Sequence, residues 1–66
     1  MAKKLTMMEW KRKQLGMTQM DLAYKARVGF ADISRFENHW AKPYNGQAQR
    51  LSKVLGIPAS ELTKEA

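Results

Sequence analysis

The polar side chains of this 66-residue chain are better suited to binding an anion than to catalysis. Arg35 carries a planar guanidinium that can donate paired hydrogen bonds to a phosphate or to guanine, and Lys42 carries a compact point charge. His39 is the only histidine and cysteine is absent, so we expect neither a thiolate metal site nor a cysteine nucleophile. A glycine-rich phosphate loop and metal-ligand spacings are also absent. We therefore expect no enzyme, no catalytic residue, no metal and no cofactor.

The balance of charge narrows the class of partner. Twelve lysines and arginines against six acidic residues give a formal net charge of +6, and the isoelectric point is near 10.0. Such values are typical of domains that bind nucleic acid. The alternatives are a protein that is basic without such a partner and one that binds an anionic membrane surface. The membrane alternative is disfavoured because the cations do not gather on one face of a long amphipathic helix.

Length and hydropathy limit the architecture. At 66 residues the chain is expected to form one domain over 1–66, near the lower limit for a self-sufficient core. No segment approaches the ~20 apolar residues that cross a bilayer, and the N-terminal stretch lacks the apolar core of a signal peptide. We expect an all-α protein of the cytoplasm with no membrane partner.

Residues that begin and end helices divide the chain into five predicted helices. Thr6 opens the first in a Thr-x-x-Glu capping box, and Thr18 opens the second with Asp21 in its first turn. Gly16 and Gly56 are expected to follow the first and fourth helices, because glycine adopts positive φ at little cost. These boundaries predict the positions of the elements that carry the polar residues.

Apolar residues at helical spacing identify the predicted core. They are Leu5, Met8, Leu15, Leu22, Ala23, Ala26, Val28, Ile33, Phe36, Ala48, Leu51, Val54 and Leu55. Residues 38–46 are rich in turn formers and are predicted to form a loop. Ile57-Pro58 is expected to open a last short helix around residues 60–62.

The second and third predicted helices meet at a short corner, Arg27–Gly29. Two helices joined by a turn of three or four residues form a helix-turn-helix, which can present its second helix to the major groove of DNA. The expected core of this motif is residues 18–37.

The order of these residues resembles that of a known family. The matching positions are Gly16, Thr18, Gln19, Leu22, Ala23, Val28, Ile33, Glu37, Pro43, Leu55, Gly56 and Leu62. Their spacing is similar to that of phage-repressor and Cro-like (Xre-type) helix-turn-helix domains, over about residues 5–62. The resemblance implies a compact five-helix, lambda-repressor-like bundle. It also implies that the protein binds double-stranded operator DNA as a homodimer and is associated with the nucleoid.

The chain departs from the family pattern at four positions. The family often has glycine where Arg27 and His39 stand, and an L-residue pays about 1–2 kcal/mol for the left-handed conformation. Histidine is among the residues enriched at positive φ, so the second departure is the milder one. Asn45 and Ser52 stand where the family has apolar or small residues.

The resemblance implies that bases are read by five residues of the third helix. These are Phe30, Ala31, Asp32, Ser34 and Arg35. Phe30 and Ala31 can pack against a thymine methyl group, and Arg35 suits guanine. Asp32 would repel phosphates unless it accepts from cytosine or holds Arg35 in place. For Phe30, a core position or a partner contact is an equally expected alternative.

The resemblance also implies phosphate contacts at Gln19, Asn38, Trp40, Lys42 and Tyr44. For Gln19, at the start of the second helix, the alternative is an ordinary exposed helix former. For Trp40 and Tyr44, a dimer contact or a lid over the core is equally expected, because aromatic residues are enriched at protein interfaces.

Arg12 and Glu37 are implied to form a structural ion pair. A glutamate at a helix C-terminus is unfavourable unless a cation compensates it, and we expect the pair to join the first helix to the third. Lys3 and Lys4 could reach DNA as an arm, although a solvated basic tail is the preferred interpretation.

Three functions remain open. The leading hypothesis is a sequence-specific transcriptional regulator, a phage or bacterial repressor that binds operator DNA as a dimer through the major groove. The second is a DNA-binding antitoxin with a toxin partner. The third is a protein-interaction adaptor on the same fold. This hypothesis remains open because Phe30 and Ala31, on the presumed reading face, are apolar.

Overall fold

The computed structural model describes residues 4–66, and within them the chain folds into four α-helices. Their bounds are Met7–Gln14 for α1, Gln19–Ala26 for α2, Phe30–Glu37 for α3 and Asn45–Leu55 for α4. A 3-10 turn follows at Ala59–Glu61. This part of the chain contains no strand, although Thr6 and Glu65 form one isolated antiparallel bridge. The all-α prediction is confirmed. No helix among residues 4–66 is long and apolar enough to cross a membrane.

The region predicted as a short fifth helix forms a 3-10 turn, so the predicted count of five helices is not confirmed. Its hydrogen bonds run from the Glu61 N–H to the Pro58 carbonyl at 2.9 Å and from the Leu62 N–H to the Ala59 carbonyl at 3.4 Å, which is the three-residue spacing of a 3-10 helix. The carbonyls of Leu62 and Lys64 accept instead from the start of α1. The segment after the 3-10 turn is therefore hydrogen-bonded to the start of α1 and does not continue as a helix.

The first turn of α1 is completed by residues distant in sequence. The Met7 N–H donates to the Lys64 carbonyl at 2.7 Å, and the Met8 N–H donates to the Leu62 carbonyl at 3.0 Å. The Ala66 N–H donates back to the Leu5 carbonyl at 2.8 Å. These bonds satisfy donors that lack a partner within the helix, so the C-terminal segment acts as part of the cap of α1.

The predicted helix caps are present at both threonines. The Thr6 hydroxyl accepts from the Glu9 N–H at 3.0 Å. Thr18 and Asp21 form a reciprocal capping box, each side chain accepting from the other's N–H at 3.0 Å. Hydrogen bonding of the Asp21 carboxylate by Thr18, first of all by its backbone N–H, favours the ionised form and lowers the pKa of Asp21. Gly16 ends the first helical segment with a φ of +71°, as its position predicts.

The core lies between all four helices and the segment after α4. Its buried apolar members are Met8, Leu22, Ala23, Ala26, Val28, Ile33, Phe36, Ala48, Leu51, Leu55 and Leu62. Val54 is only partly buried, and Leu15 is half-exposed. The prediction for Leu15 is wrong because α1 ends at Gln14, and the chain turns at Leu15 before another helical position can face inward.

Helix α4 begins earlier than predicted. Asn45 and Gly46, which the sequence places in a loop, form its first turn. The side-chain oxygen of Gln47 accepts from the Tyr44 N–H at 3.3 Å, a bond that satisfies a backbone donor at the helix start. Asn-Gly is a common turn sequence, and here this polar contact overrides that tendency.

Candidate nucleic-acid interface

Helices α2 and α3 meet at a corner of three residues. Arg27 adopts the left-handed conformation, with φ 56° and ψ 45°, so of the two possibilities for a non-glycine residue here it accepts this conformation and does not avoid it. Val28 inserts into the core, and its N–H donates to the Ala23 carbonyl at 3.0 Å. Gly29 then precedes α3 as its N-cap residue. The corner is short and anchored, so α3 has a defined direction relative to α2.

Arg50 holds this corner from α4, and sequence reasoning missed it. Its Nε donates to the Ala26 carbonyl at 2.9 Å, and its Nη2 lies 3.5 Å from the Arg27 carbonyl. A cation at a helix C-terminus is favourable because the last carbonyls lack partners within the helix.

A buried polar cluster fixes the other end of α3. Arg12 donates from Nε to Glu37 Oε2 at 2.7 Å and from Nη2 to Oε1 at 3.0 Å. Its Nη1 donates to the Met17 carbonyl at 2.8 Å. Gln19 Nε2 donates to Glu37 Oε1 at 2.9 Å. The pair expected from the sequence therefore joins α1 to α3, and Gln19 adds the start of α2 to it.

The outward side of α3 carries the five residues expected to read bases. Ile33 and Phe36 are buried, which turns Ala31 and Arg35 toward solvent. Phe30 is 48% exposed, which excludes its alternative as a core residue. Asp32 and Ser34 are partly exposed.

Asp32 and Arg35 contact each other on this face. Arg35 Nη1 donates to Asp32 Oδ1 at 2.9 Å. The other carboxylate oxygen, Oδ2, accepts from Gln47 Nε2 at 3.4 Å. Gln47 lies in α4 and is buried. Sequence reasoning missed it, because a contact between residues 15 positions apart leaves no local pattern.

The loop between α3 and α4 carries four of the predicted phosphate contacts. Asn38 is the C-cap residue directly after α3, and its Nδ2 donates to the Ser34 carbonyl at 2.8 Å. Trp40 and Tyr44 are 77% and 66% exposed, which excludes the alternative of a lid over the core. Lys42, between them, is also exposed. The structure thus places two aromatic rings and a cation on the segment that directly follows α3.

The predicted basic arm is only partly represented. Lys3 lies outside the described residues. Lys4 Nζ is 3.5 Å from Glu65 Oε2, and both side chains are exposed. An open groove of about 540 Å³ lies beside this pair, lined by Lys4, Leu5, Met7, Trp10, Glu65 and Ala66. None of these residues belongs to α2, α3 or the loop after α3.

Comparisons of the chain with protein-family models, curated proteins and solved structures give no match. Among residues 4–66, no group of three or more histidine, cysteine or acidic residues is placed to hold a metal ion. Function must therefore be inferred from the geometry of the described residues.

Proposed function

We propose that the protein is a sequence-specific DNA-binding regulator of transcription, a repressor of the phage-repressor and Cro-like class. In this proposal α2, the corner and α3 form a helix-turn-helix, and α3 enters the major groove of operator DNA. The observation that carries the proposal is that α3 is fixed at both ends while its outward side stays exposed. Arg12 holds its C-terminal end, and Arg50 holds the corner before it.

Rigid mounting matters because a hydrogen bond to a base edge requires a defined distance and direction. Contacts to phosphates fix the register of a protein on the duplex, and contacts to base edges supply the sequence preference. A reading helix with a loose end would lose that register. Arg35 supplies the polar contact with the strongest preference, since a guanidinium can donate two bonds to guanine. Phe30 and Ala31 supply apolar contacts to thymine methyl groups.

Gln19 can serve the ion pair and the DNA together. A carboxamide nitrogen carries two hydrogens, and one of those on Gln19 points to Glu37. The second N–H can donate to a phosphate at the start of α2. Such a contact would couple the position of the backbone phosphate directly to the residue that ends α3.

The loop after α3 supplies the remaining phosphate contacts. Lys42 contributes charge, and the exposed Trp40 and Tyr44 contribute an indole N–H and a phenolic O–H. The formal net charge of +6 favours approach to a polyanion. Two copies of the domain would engage half-sites about 34–36 Å apart, one turn of B-DNA.

Exposed aromatic rings also favour a second candidate, a protein-interaction adaptor. Tyr24, Trp40 and Tyr44 are all largely exposed, and aromatic residues are enriched at protein interfaces. In this candidate the α3 face binds a protein, and the basic charge has no role in specific recognition.

Selection of bound duplexes from a random-oligonucleotide pool tests the proposal. We expect a two-fold symmetric sequence to be enriched. Its affinity should fall by about 10³–10⁵ between about 50 and about 200 mM salt if the dimer touches about 6–10 phosphates. No enriched sequence together with a flat salt response would favour the adaptor.

A further inference from the structure

Asp32 is the junction of a hydrogen-bonded chain that runs from α4 to the outward side of α3. The backbone N–H of Tyr44 donates to Gln47 Oε1 at 3.3 Å, and Gln47 Nε2 lies 3.4 Å from Asp32 Oδ2. Asp32 Oδ1 then accepts from Arg35 Nη1 at 2.9 Å. Each carboxylate oxygen of Asp32 is thus engaged by a side chain from a different helix.

We propose that Asp32 and Gln47 are positioning residues that aim the Arg35 guanidinium and thereby set the sequence preference of the α3 face. This inference rests on the proposed function, in which Arg35 reads a base. It changes the role of Asp32 from a base-reading residue to the support of one. Each of its oxygens accepts from a protein donor, which holds the carboxylate in an orientation that faces Arg35 and Gln47.

The first consequence of this arrangement is reduced freedom at Arg35. An unrestrained arginine side chain has many rotamers, and this freedom is lost when the side chain is fixed on a base. Arg35 uses one of its five N–H donors on Asp32. The remaining donors are held in a planar fork whose orientation is defined before DNA arrives.

The second consequence is electrostatic. A carboxylate beside Arg35 offsets its charge and repels phosphates, so Arg35 contributes little to sequence-independent binding. Specificity is a difference between two affinities. A group that weakens the unwanted complex therefore raises specificity as effectively as a new contact to the correct DNA sequence. Asp32 therefore sharpens preference in two ways, by aiming Arg35 and by lowering affinity for random DNA.

Gln47 distinguishes this pair from an ordinary surface ion pair. Glu61 and Lys64 form a pair of the same i,i+3 spacing, at 2.8 Å and with similar exposure. That pair lies after α4, in the C-terminal segment. Gln47 is buried, and its other end is fixed by the Tyr44 backbone, so it restrains Asp32 where an isolated surface carboxylate would swing. The Glu61–Lys64 pair is the matched control.

The test measures the affinity of each variant for three duplexes: the selected sequence, that sequence altered at single base pairs, and a scrambled sequence. Arg35→Ala should remove about 5- to 150-fold of discrimination at one base pair. Asp32→Asn should remove about 3- to 10-fold at the same base pair and raise affinity for the scrambled duplex about 2- to 10-fold. Gln47→Met should lower the discrimination with little effect on scrambled DNA, and Glu61→Gln should change neither.

Coupling between the residues separates positioning from direct reading. In the Arg35→Ala background, Asp32→Asn should remove no further discrimination, because Asp32 acts through Arg35. A further loss, at this or another base pair, would show that Asp32 reads DNA itself and would overturn the proposal. Unfolding midpoints of all variants should agree within a few degrees, which excludes a general loss of structure.

A measurement without DNA separates this inference from the proposed function. Rotation of the Arg35 guanidinium about its Nε–Cζ bond, followed by NMR, should be slower in the wild-type protein than in Asp32→Asn and Gln47→Met. Equal rotation rates would overturn the positioning role even if the protein binds DNA. Slow rotation in a wild-type protein that binds no DNA would instead overturn the proposed function, and with it the role of Asp32 in specificity.

Discussion

Helix α3 takes part in two arginine–carboxylate pairs, which differ chiefly in burial. At its C-terminal end, the Arg12 and Glu37 side chains are 8% and 1% exposed, with a shortest contact of 2.7 Å. Along its outward side, those of Arg35 and Asp32 are 55% and 38% exposed, with a contact of 2.9 Å. Nearly equal distances therefore accompany very different surroundings.

Burial determines what each pair can do. An exposed pair contributes about 0–1 kcal/mol, because water and salt screen both charges. A buried pair gains more attraction but has lost its hydration, and removing one partner leaves a charge with no compensation. The Arg12–Glu37 pair therefore fixes the position of the helix itself. The Asp32–Arg35 pair can direct only a side chain.

Breaking the buried pair should have the largest effect. Glu37→Ala should destabilise the fold by about 3–5 kcal/mol, because the Arg12 charge remains buried. Urea unfolding measures the change, and Glu37→Gln, which keeps the shape, serves if the alanine variant does not fold. Glu61→Ala, at an exposed pair, should stay within about 0.5 kcal/mol of wild type.

Removing both charges should recover much of that loss. Adding Arg12→Met to Glu37→Ala replaces the uncompensated charge with an apolar side chain of similar length. The double-mutant cycle should therefore be strongly non-additive. Additive effects would mean that the two side chains contribute independently, which contradicts a coupled buried pair.

The next prediction distinguishes a residue that contacts a base edge from a residue that contacts a phosphate. Arg35→Ala should cost about 1–3 kcal/mol on the selected duplex and relax preference at one base pair. Lys42→Ala should weaken selected and scrambled duplexes by similar factors and reduce the salt slope by about one unit. Affinities across a salt series measure both. Equal weakening of both duplexes by Arg35→Ala would identify Arg35 as a phosphate contact.

A smaller change in stability is expected when the residues with positive φ before and after α3 are replaced by glycine. Arg27 precedes the helix with φ 56°, and His39 follows it with φ 62°. Arg27→Gly should stabilise the fold by about 1 kcal/mol, because relief of the left-handed strain exceeds the added freedom of the unfolded chain. His39→Gly should stabilise less, since histidine tolerates this conformation better. Thermal unfolding compares them, and a destabilised Arg27→Gly would show that the arginine side chain contributes more than the strain costs.

The smallest effect should come from the exposed Thr18–Asp21 capping box. The folded state lowers the pKa of Asp21, so its contribution is fully present above the unfolded pKa of about 3.9. The contribution is lost as the pH falls through the lower, folded value. The difference in unfolding free energy between wild type and Asp21→Asn should therefore be present at pH 7 and shrink as the pH falls below about 3.9. An unchanged difference at both pH values would contradict this assignment.

Features encoded by neighbouring residues could be predicted from the sequence. Thr18 was predicted as the N-cap of the second helix with Asp21 in its first turn, and the two residues also form a capping box. At Arg27 and His39 the resemblance indicated only that the family often has glycine, and both residues adopt positive φ. Local rules work here because a cap depends on the few residues that surround it.

Contacts distant in sequence could not be predicted in the same way. Arg50 reaches a carbonyl 24 positions away, and Gln47 reaches a carboxylate 15 positions away. Each is an ordinary polar residue of α4, and only the packed fold brings its partner near. The Arg12–Glu37 contact spans 25 positions. It was anticipated only through resemblance to a family, which shows how much such a contact depends on knowledge of the fold.

The hydrogen bonds between the start of α1 and residues 62–66 also bear on the order of folding. They join Met7 to Lys64 and Met8 to Leu62, so the loop they close contains most of the sequence. Closing a long loop costs chain entropy before any contact compensates for it, and such contacts slow folding. While the polypeptide is being synthesised, α1 lacks these partners until residue 64 has been added. The cap of α1 therefore cannot be completed before residue 64 has been added. We expect the cooperative folding transition to occur only after that residue is available.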